Sequence, residues 1–195
     1  MIFHPLLIAS HLTALLLYTA PELLPRIQPQ VSRQFLLIVF IITAVLPAFS
    51  IFLLKTFKYI SDLELVKRRE RVIPFAFILF YYGIASYLFM VKLEMEFLFN
   101  IVMISVTALI AILLVITMKF KISIHSAAIW GAVGYLTAIN ITQSITVDWI
   151  YYSVVLIAGL TSTSRLYLGY HTSKEVWTGS LLGFSYCFLV FVAFV

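Results

Sequence analysis

Ser164-Arg165, His171 and Glu175 put a cation, an imidazole and a carboxylate at fixed intervals where one apolar stretch gives way to the next. Arg165 can bind a phosphate oxygen, His171 can attack phosphorus, and Glu175 can hold the imidazole from one helical turn away. Lipid-embedded segments rarely carry ionisable groups, and those that do usually carry function. Two other groups offer matching chemistry. The run Lys67-Arg68-Arg69-Glu70-Arg71 presents guanidinium forks and a point charge suited to phosphate oxygens. Ser123 and His125 stand two residues apart at the start of an apolar run, one able to donate to phosphate and the other to protonate a leaving oxygen. Each group also has a plainer reading: a juxtamembrane basic stretch, a helix cap with an interfacial histidine, and an Arg165–Glu175 ion pair.

The rest of the chain must position these groups. Of its 195 residues 63% are hydrophobic and 11% charged, and the mean hydropathy is +1.09. Soluble domains are not composed like this, whereas polytopic membrane proteins are. Aromatic residues reach 16%, in keeping with Trp and Tyr at a lipid–water boundary. The one cysteine, Cys187, excludes an intramolecular disulfide and a cysteine-based metal site. A net charge of +5 in so apolar a chain points to headgroup or phosphate contact and away from nucleic acid.

Six runs are long enough to cross a bilayer: about 34–54, 73–91, 97–118, 124–142, 148–164 and 176–195. A seventh candidate, residues 2–20, contains His4 and His11 and reads as a first span, an interfacial helix or a signal-like segment. It lacks a basic start and a small-residue cleavage site, so a removable signal peptide is the weakest of these. Pro21, Pro25 and Pro29 then mark a loop. The expected architecture is an all-α polytopic transmembrane helix bundle forming a single integral membrane domain over residues 1–195. Pro47 should kink the first strong span, and Gly179 and Gly183 would allow close helix contact.

Two short connections, Leu93–Glu96 and Asn140–Asp148, pair the spans as hairpins. Counting alternately, segments 55–72, 119–124 and 165–175 then emerge on one face. That face gathers Lys55, Lys58, Lys67, Arg68, Arg69, Arg71, Lys119, Lys121, Arg165 and Lys174, which is 10 of the 13 Lys and Arg residues. Arg26, Arg33 and Lys92 fall on the other. The basic excess argues for a cytoplasmic motif face, but without the candidate site cations Lys67, Arg68, Arg69, Arg71, Arg165 and Lys174 the count is 4 against 3, which leaves either orientation open.

At these residues the chain resembles the type 2 phosphatidic acid phosphatase superfamily over about residues 60–185. That family's third motif is Ser-Arg, five residues, His, three residues, Asp; here Ser164, Arg165 and His171 keep the spacing and Glu175 stands for Asp. Its second motif, Pro-Ser-Gly-His, reads Ile122-Ser123-Ile124-His125. Its first, Lys, six residues, Arg-Pro, is approached by Lys67 and Pro74, with Ile73 in place of Arg and five residues, not six, between Lys67 and Ile73.

The resemblance implies a membrane-embedded phosphatase that works through a phosphohistidine and needs no metal or cofactor. His171 would be the nucleophile, Glu175 its orienter and His125 the acid. Lys67, Arg68, Arg71, Ser123, Ser164 and Arg165 would hold the phosphoryl oxygens. The partner would be a phosphorylated membrane lipid in a bacterial plasma membrane, where the family usually works on the outer side. Two other readings compete: a non-catalytic relative that binds or moves anionic phospholipids, and a small transporter. Against the transporter, the charged residues lie at span ends and not near mid-bilayer.

Overall fold

The structure, a computed structural model, describes residues 4–63, 65, 67–143 and 148–194. It is all-α, with no strand among the described residues. The helices are α1 (Pro5–Thr19), α2 (Ser32–Phe40), α3 (Leu46–Thr56), α4 (Val72–Tyr87), α5 (Phe97–Lys119), α6 (Ile124–Thr142), α7 (Asp148–Tyr167) and α8 (Ser173–Phe194). Residues 2 and 3 of the N-terminal candidate, residues 144–147 of the Asn140–Asp148 connection and residue 195 of the last run lie outside the described residues.

Among the described residues, five helical stretches are long and apolar enough to cross a membrane: Ser32–Thr56, Arg68–Lys92, Phe97–Lys119, Ile124–Thr142 and Ser173–Phe194. The expectation of six is corrected at α7. That helix has the length, but its apolar centre is flanked by Asp148 and by the polar run Thr161-Ser162-Thr163-Ser164-Arg165, which lowers its hydropathy. Helix α1 is apolar but has 15 residues, about 22 Å of helix against a hydrocarbon core of about 30 Å. Large apolar side chains such as Phe80, Leu156 and Leu181 face outward, as they must where lipid replaces water. The chain is an integral membrane protein.

The chain divides into two compact units, Ala9–Lys121 and one joining the described parts of Met1–Ile8 and Ile122–Val195. In the first unit, α2 and α3 form one span through a widened turn, Ile41–Val45, where the Leu46 N–H bonds back to the Ile41 carbonyl. This is how the span accommodates Pro47. Proline cannot bond the Thr43 carbonyl four residues earlier and its ring crowds that position, so the helix widens just there. A second widened turn, Leu88–Lys92, ends the span that begins with α4. Polar side chains join these helices: Ser10 to Thr43 (3.3 Å), Ser50 to Tyr81 (2.9 Å) and Ser86 to Thr107 (2.8 Å). The Leu93–Glu96 connection forms the expected hairpin, closed by a bond from the Met95 N–H to the Phe89 carbonyl.

In the second unit α6 is central, and more of it is buried than of α8. Glycine decides its pairing with α8. A Cβ on Gly179 would collide with the Ser123 carbonyl, one on Gly183 would lie 2.8 Å from the Ala127 carbonyl carbon, and one on Gly134 would lie 2.5 Å from the Phe184 carbonyl oxygen. The contact positions rise together along both helices, so α6 and α8 run parallel with their backbones in close approach. Helix α7 packs on α6 through Ile129, Val133 and Ala158. Gly183→Ala is therefore expected to destabilise the protein by about 1–3 kcal/mol, the usual cost of overpacking. Gly159→Ala, whose Cβ meets nothing within 4 Å, is the control. Equal melting temperatures for the two variants in detergent would refute this packing.

Candidate functional site

The parallel pairing brings the start of α6 and the turn between α7 and α8 to one end of the second unit. The Ser123 N–H donates to the Glu175 carbonyl oxygen at 3.1 Å and locks the two helix starts together. Between α7 and α8 the chain reverses at Gly169, whose φ of +68° is left-handed and suits glycine. Beyond it the His171 N–H returns to the Arg165 carbonyl at 3.3 Å. Local backbone thus holds Arg165 and His171 side by side although five residues separate them.

The imidazole of His171 and the carboxylate of Glu175 meet at 2.7 Å, Nδ1 to Oε2. Both are sheltered, with 5% and 14% of their side-chain surfaces exposed. A carboxylate accepts, so with a neutral imidazole the proton lies on Nδ1 and the lone pair on Nε2. The longer side chain of Glu does not prevent the pairing that the spacing predicts. Arg165 is 1% exposed, and its guanidinium carbon lies 5.3 Å from the centre of the Tyr170 ring. A cation so enclosed and stacked on an aromatic face has a fixed direction.

His125 stands at the second position of α6, half-buried, and its ring meets that of His4 edge to face at 5.3 Å. His4 in turn accepts the Leu6 N–H on Nδ1 at 3.4 Å. Nothing local in the sequence connects these two histidines, which are far apart in the chain. Two other contributors were legible and are absent from the candidate set above. Tyr170 adjoins His171, and Thr172 with Glu175 spells the Thr-x-x-Glu signature of a helix start.

The two candidate serines have local duties. Ser123 is fully buried and caps α6: its Oγ accepts the Ser126 N–H at 3.4 Å and lies 2.9 Å from the Ser126 Oγ. Ser164 donates its hydroxyl to the Thr161 carbonyl at 2.7 Å, within its own helix. The basic cluster belongs to the first unit, and three of its members make contacts within that unit. Lys67 is largely exposed and pairs with Glu70 at 3.3 Å. Arg68 donates to the Met118 carbonyl at 2.6 Å, and buried Arg71 donates from Nε to the Leu65 carbonyl at 2.7 Å. Among the described residues no three His, Cys, Asp or Glu side chains come together as a metal-binding set.

The second unit alone therefore assembles an imidazole, its carboxylate partner and a buried guanidinium, with a second imidazole at the same helix end. Comparison with protein-family models, with curated proteins and with solved structures finds no match to this chain.

Proposed function

We propose that the protein is a membrane-embedded lipid phosphate phosphatase that works without a metal, of the type 2 phosphatidic acid phosphatase kind its motifs resemble. The observation that carries this reading is the sheltered 2.7 Å pair of His171 and Glu175, tied by backbone to the enclosed Arg165. An imidazole with Nδ1 committed to a carboxylate is oriented for nucleophilic work at Nε2. Arg165 supplies the charge that phosphoryl transfer needs, since that reaction depends mainly on positioning and electrostatic stabilisation.

In the first step the Nε2 lone pair of His171 forms an N–P bond as the P–O bond to the lipid breaks. The departing oxygen takes a proton from His125. In the second, water attacks phosphorus and gives a proton back to His125, the N–P bond breaks, and inorganic phosphate leaves. The dephosphorylated lipid stays in the bilayer. The substrate is a lipid phosphomonoester or diphosphate, with phosphatidate, phosphatidylglycerol phosphate, polyprenyl diphosphates and glycolipid phosphates as the classes to try.

The test is phosphate release from that panel by the purified protein in detergent with chelator present. Release with formation of an acid-labile, alkali-stable phosphoprotein is the expected result. No release from any member, with anionic lipid still bound by folded protein, would replace this reading with that of a non-catalytic lipid-binding relative. The acid role of His125 predicts a graded effect. His125→Ala should slow release from lipid phosphates by about 10²- to 10⁴-fold. It should slow an aryl phosphate, whose leaving group needs little protonation, far less. Equal losses on both substrates would remove His125 from the acid role.

A further inference from the structure

We propose that Thr172 is a positioning residue for His171, and that the carboxylate at 175 must be glutamate because it serves the helix start and the imidazole at once. The inference rests on the proposed role of His171 for its consequence in rate, but not for its structural content.

Helix α8 begins at Ser173, which makes Thr172 its cap and Glu175 the third residue inside. The two form a reciprocal capping pair. The Thr172 Oγ1 accepts the Glu175 N–H at 3.4 Å, and the Glu175 Oε2 accepts the Thr172 N–H at 3.2 Å. The same Oε2 atom receives the His171 Nδ1 at 2.7 Å. His171 immediately precedes the cap, so a carboxylate reaching back to the Thr172 N–H passes beside the His171 ring.

One oxygen therefore fixes two things. It completes the first turn of α8, and it holds the imidazole proton on Nδ1 and the lone pair on Nε2. Turning the carboxylate away from the ring would break the cap, so the cap restrains the orientation of His171. An aspartate at 175 is one methylene shorter. From that helix position it cannot keep both the Thr172 N–H and the His171 ring within hydrogen-bond distance without moving the backbone. Glu175→Asp, although it brings the motif nearer to the family pattern, should therefore impair the protein.

The experiment compares wild type, Thr172→Val, Thr172→Ser and Glu175→Asp by two readouts. Imidazole ¹⁵N shifts, assigned to His171 with a His171→Asn sample, report the tautomer without any turnover. Phosphate release reports the consequence. Wild type and Thr172→Ser should both show the Nδ1–H form, whereas Thr172→Val and Glu175→Asp should show mixed tautomers. Release should fall on the order of tenfold in the latter two, in kcat and not in KM, as expected for losing one cap's worth of ordering.

A wild-type ¹⁵N pattern in either Glu175→Asp or Thr172→Val would overturn the inference. If Thr172→Val does not fold, Glu175→Asp against Thr172→Ser decides alone. Wild-type protein that releases no phosphate would defeat the proposed function, while the tautomer comparison would still decide this inference.

Discussion

Both His171→Ala and His171→Asn should lose phosphate release by about 10³-fold or more, as removal of a covalent nucleophile does. The asparagine variant is the sharper of the two. Its amide N–H can still donate toward Glu175 in place of Nδ1, so the start of α8 keeps its hydrogen bond and the melting temperature should stay near that of wild type. What asparagine lacks is the Nε2 lone pair. A folded, capped, inactive His171→Asn protein that forms no phosphoprotein would thus separate chemistry from structure. Turnover within tenfold of wild type in this variant would remove His171 from the nucleophile role. The pH profile offers an independent check. Attack requires His171 neutral, and protonation of the leaving oxygen requires His125 charged. The rate should therefore fall at low pH as His171 gains a proton and at high pH as His125 loses one. A flat profile across about pH 5–8 would argue against the paired histidines.

The helices are legible in the sequence because a bilayer tolerates little but long apolar runs that satisfy their own backbone hydrogen bonds. Four of the five candidate spans correspond to the predicted runs within a few residues at each end, and the Arg68–Lys92 stretch begins five residues earlier. The exception, α7, shows what hydropathy misses. Thr161, Ser162 and Ser164 interrupt the apolar run: Ser162 accepts the Trp130 indole N–H at 3.1 Å, and Ser164 donates its hydroxyl to the Thr161 backbone carbonyl. Helix α7 is thus the most polar of the long helices, and its polar end bonds within the second unit. The His171–Glu175 pair was legible from its spacing of four, since helix geometry alone brings such residues together. The double duty of Glu175 was equally open to reading, because Thr172-Ser173-Lys174-Glu175 is a capping signature. The meeting of His4 with His125 was not legible, because no local periodicity links the two. Ser123 follows its plainer reading as a helix cap, and Ser164 bonds to backbone within its own helix: a hydroxyl at a helix boundary readily finds backbone or a neighbouring serine.

Arg165 tests whether this end of the molecule was shaped for an anion. A buried guanidinium is costly to desolvate, and an apolar residue of similar volume removes that cost. Arg165→Met should therefore give a folded protein while turnover falls by about 10³-fold or more, by analogy with arginines that stabilise transferring phosphoryl groups. That loss corresponds to about 4 kcal/mol of transition-state stabilisation. Arg165→Lys should recover little of it. A lysine ammonium is a point charge without the planar fork, and it does not stack on the Tyr170 ring as the guanidinium does. A second readout needs no turnover. Vanadate or inorganic phosphate, binding the folded state alone, should raise the wild-type melting temperature. That protection should vanish in Arg165→Met and survive in Gly159→Ala. The opposite pattern, in which Arg165→Met unfolds while Arg165→Lys restores both stability and full turnover, would make Arg165 a structural cation. If instead Arg165→Met kept its oxyanion protection, the phosphate would have to bind elsewhere. Loss of rate and loss of protection in a protein that still folds would mean that the chain keeps this charge in an apolar setting for its ligand and not for its fold.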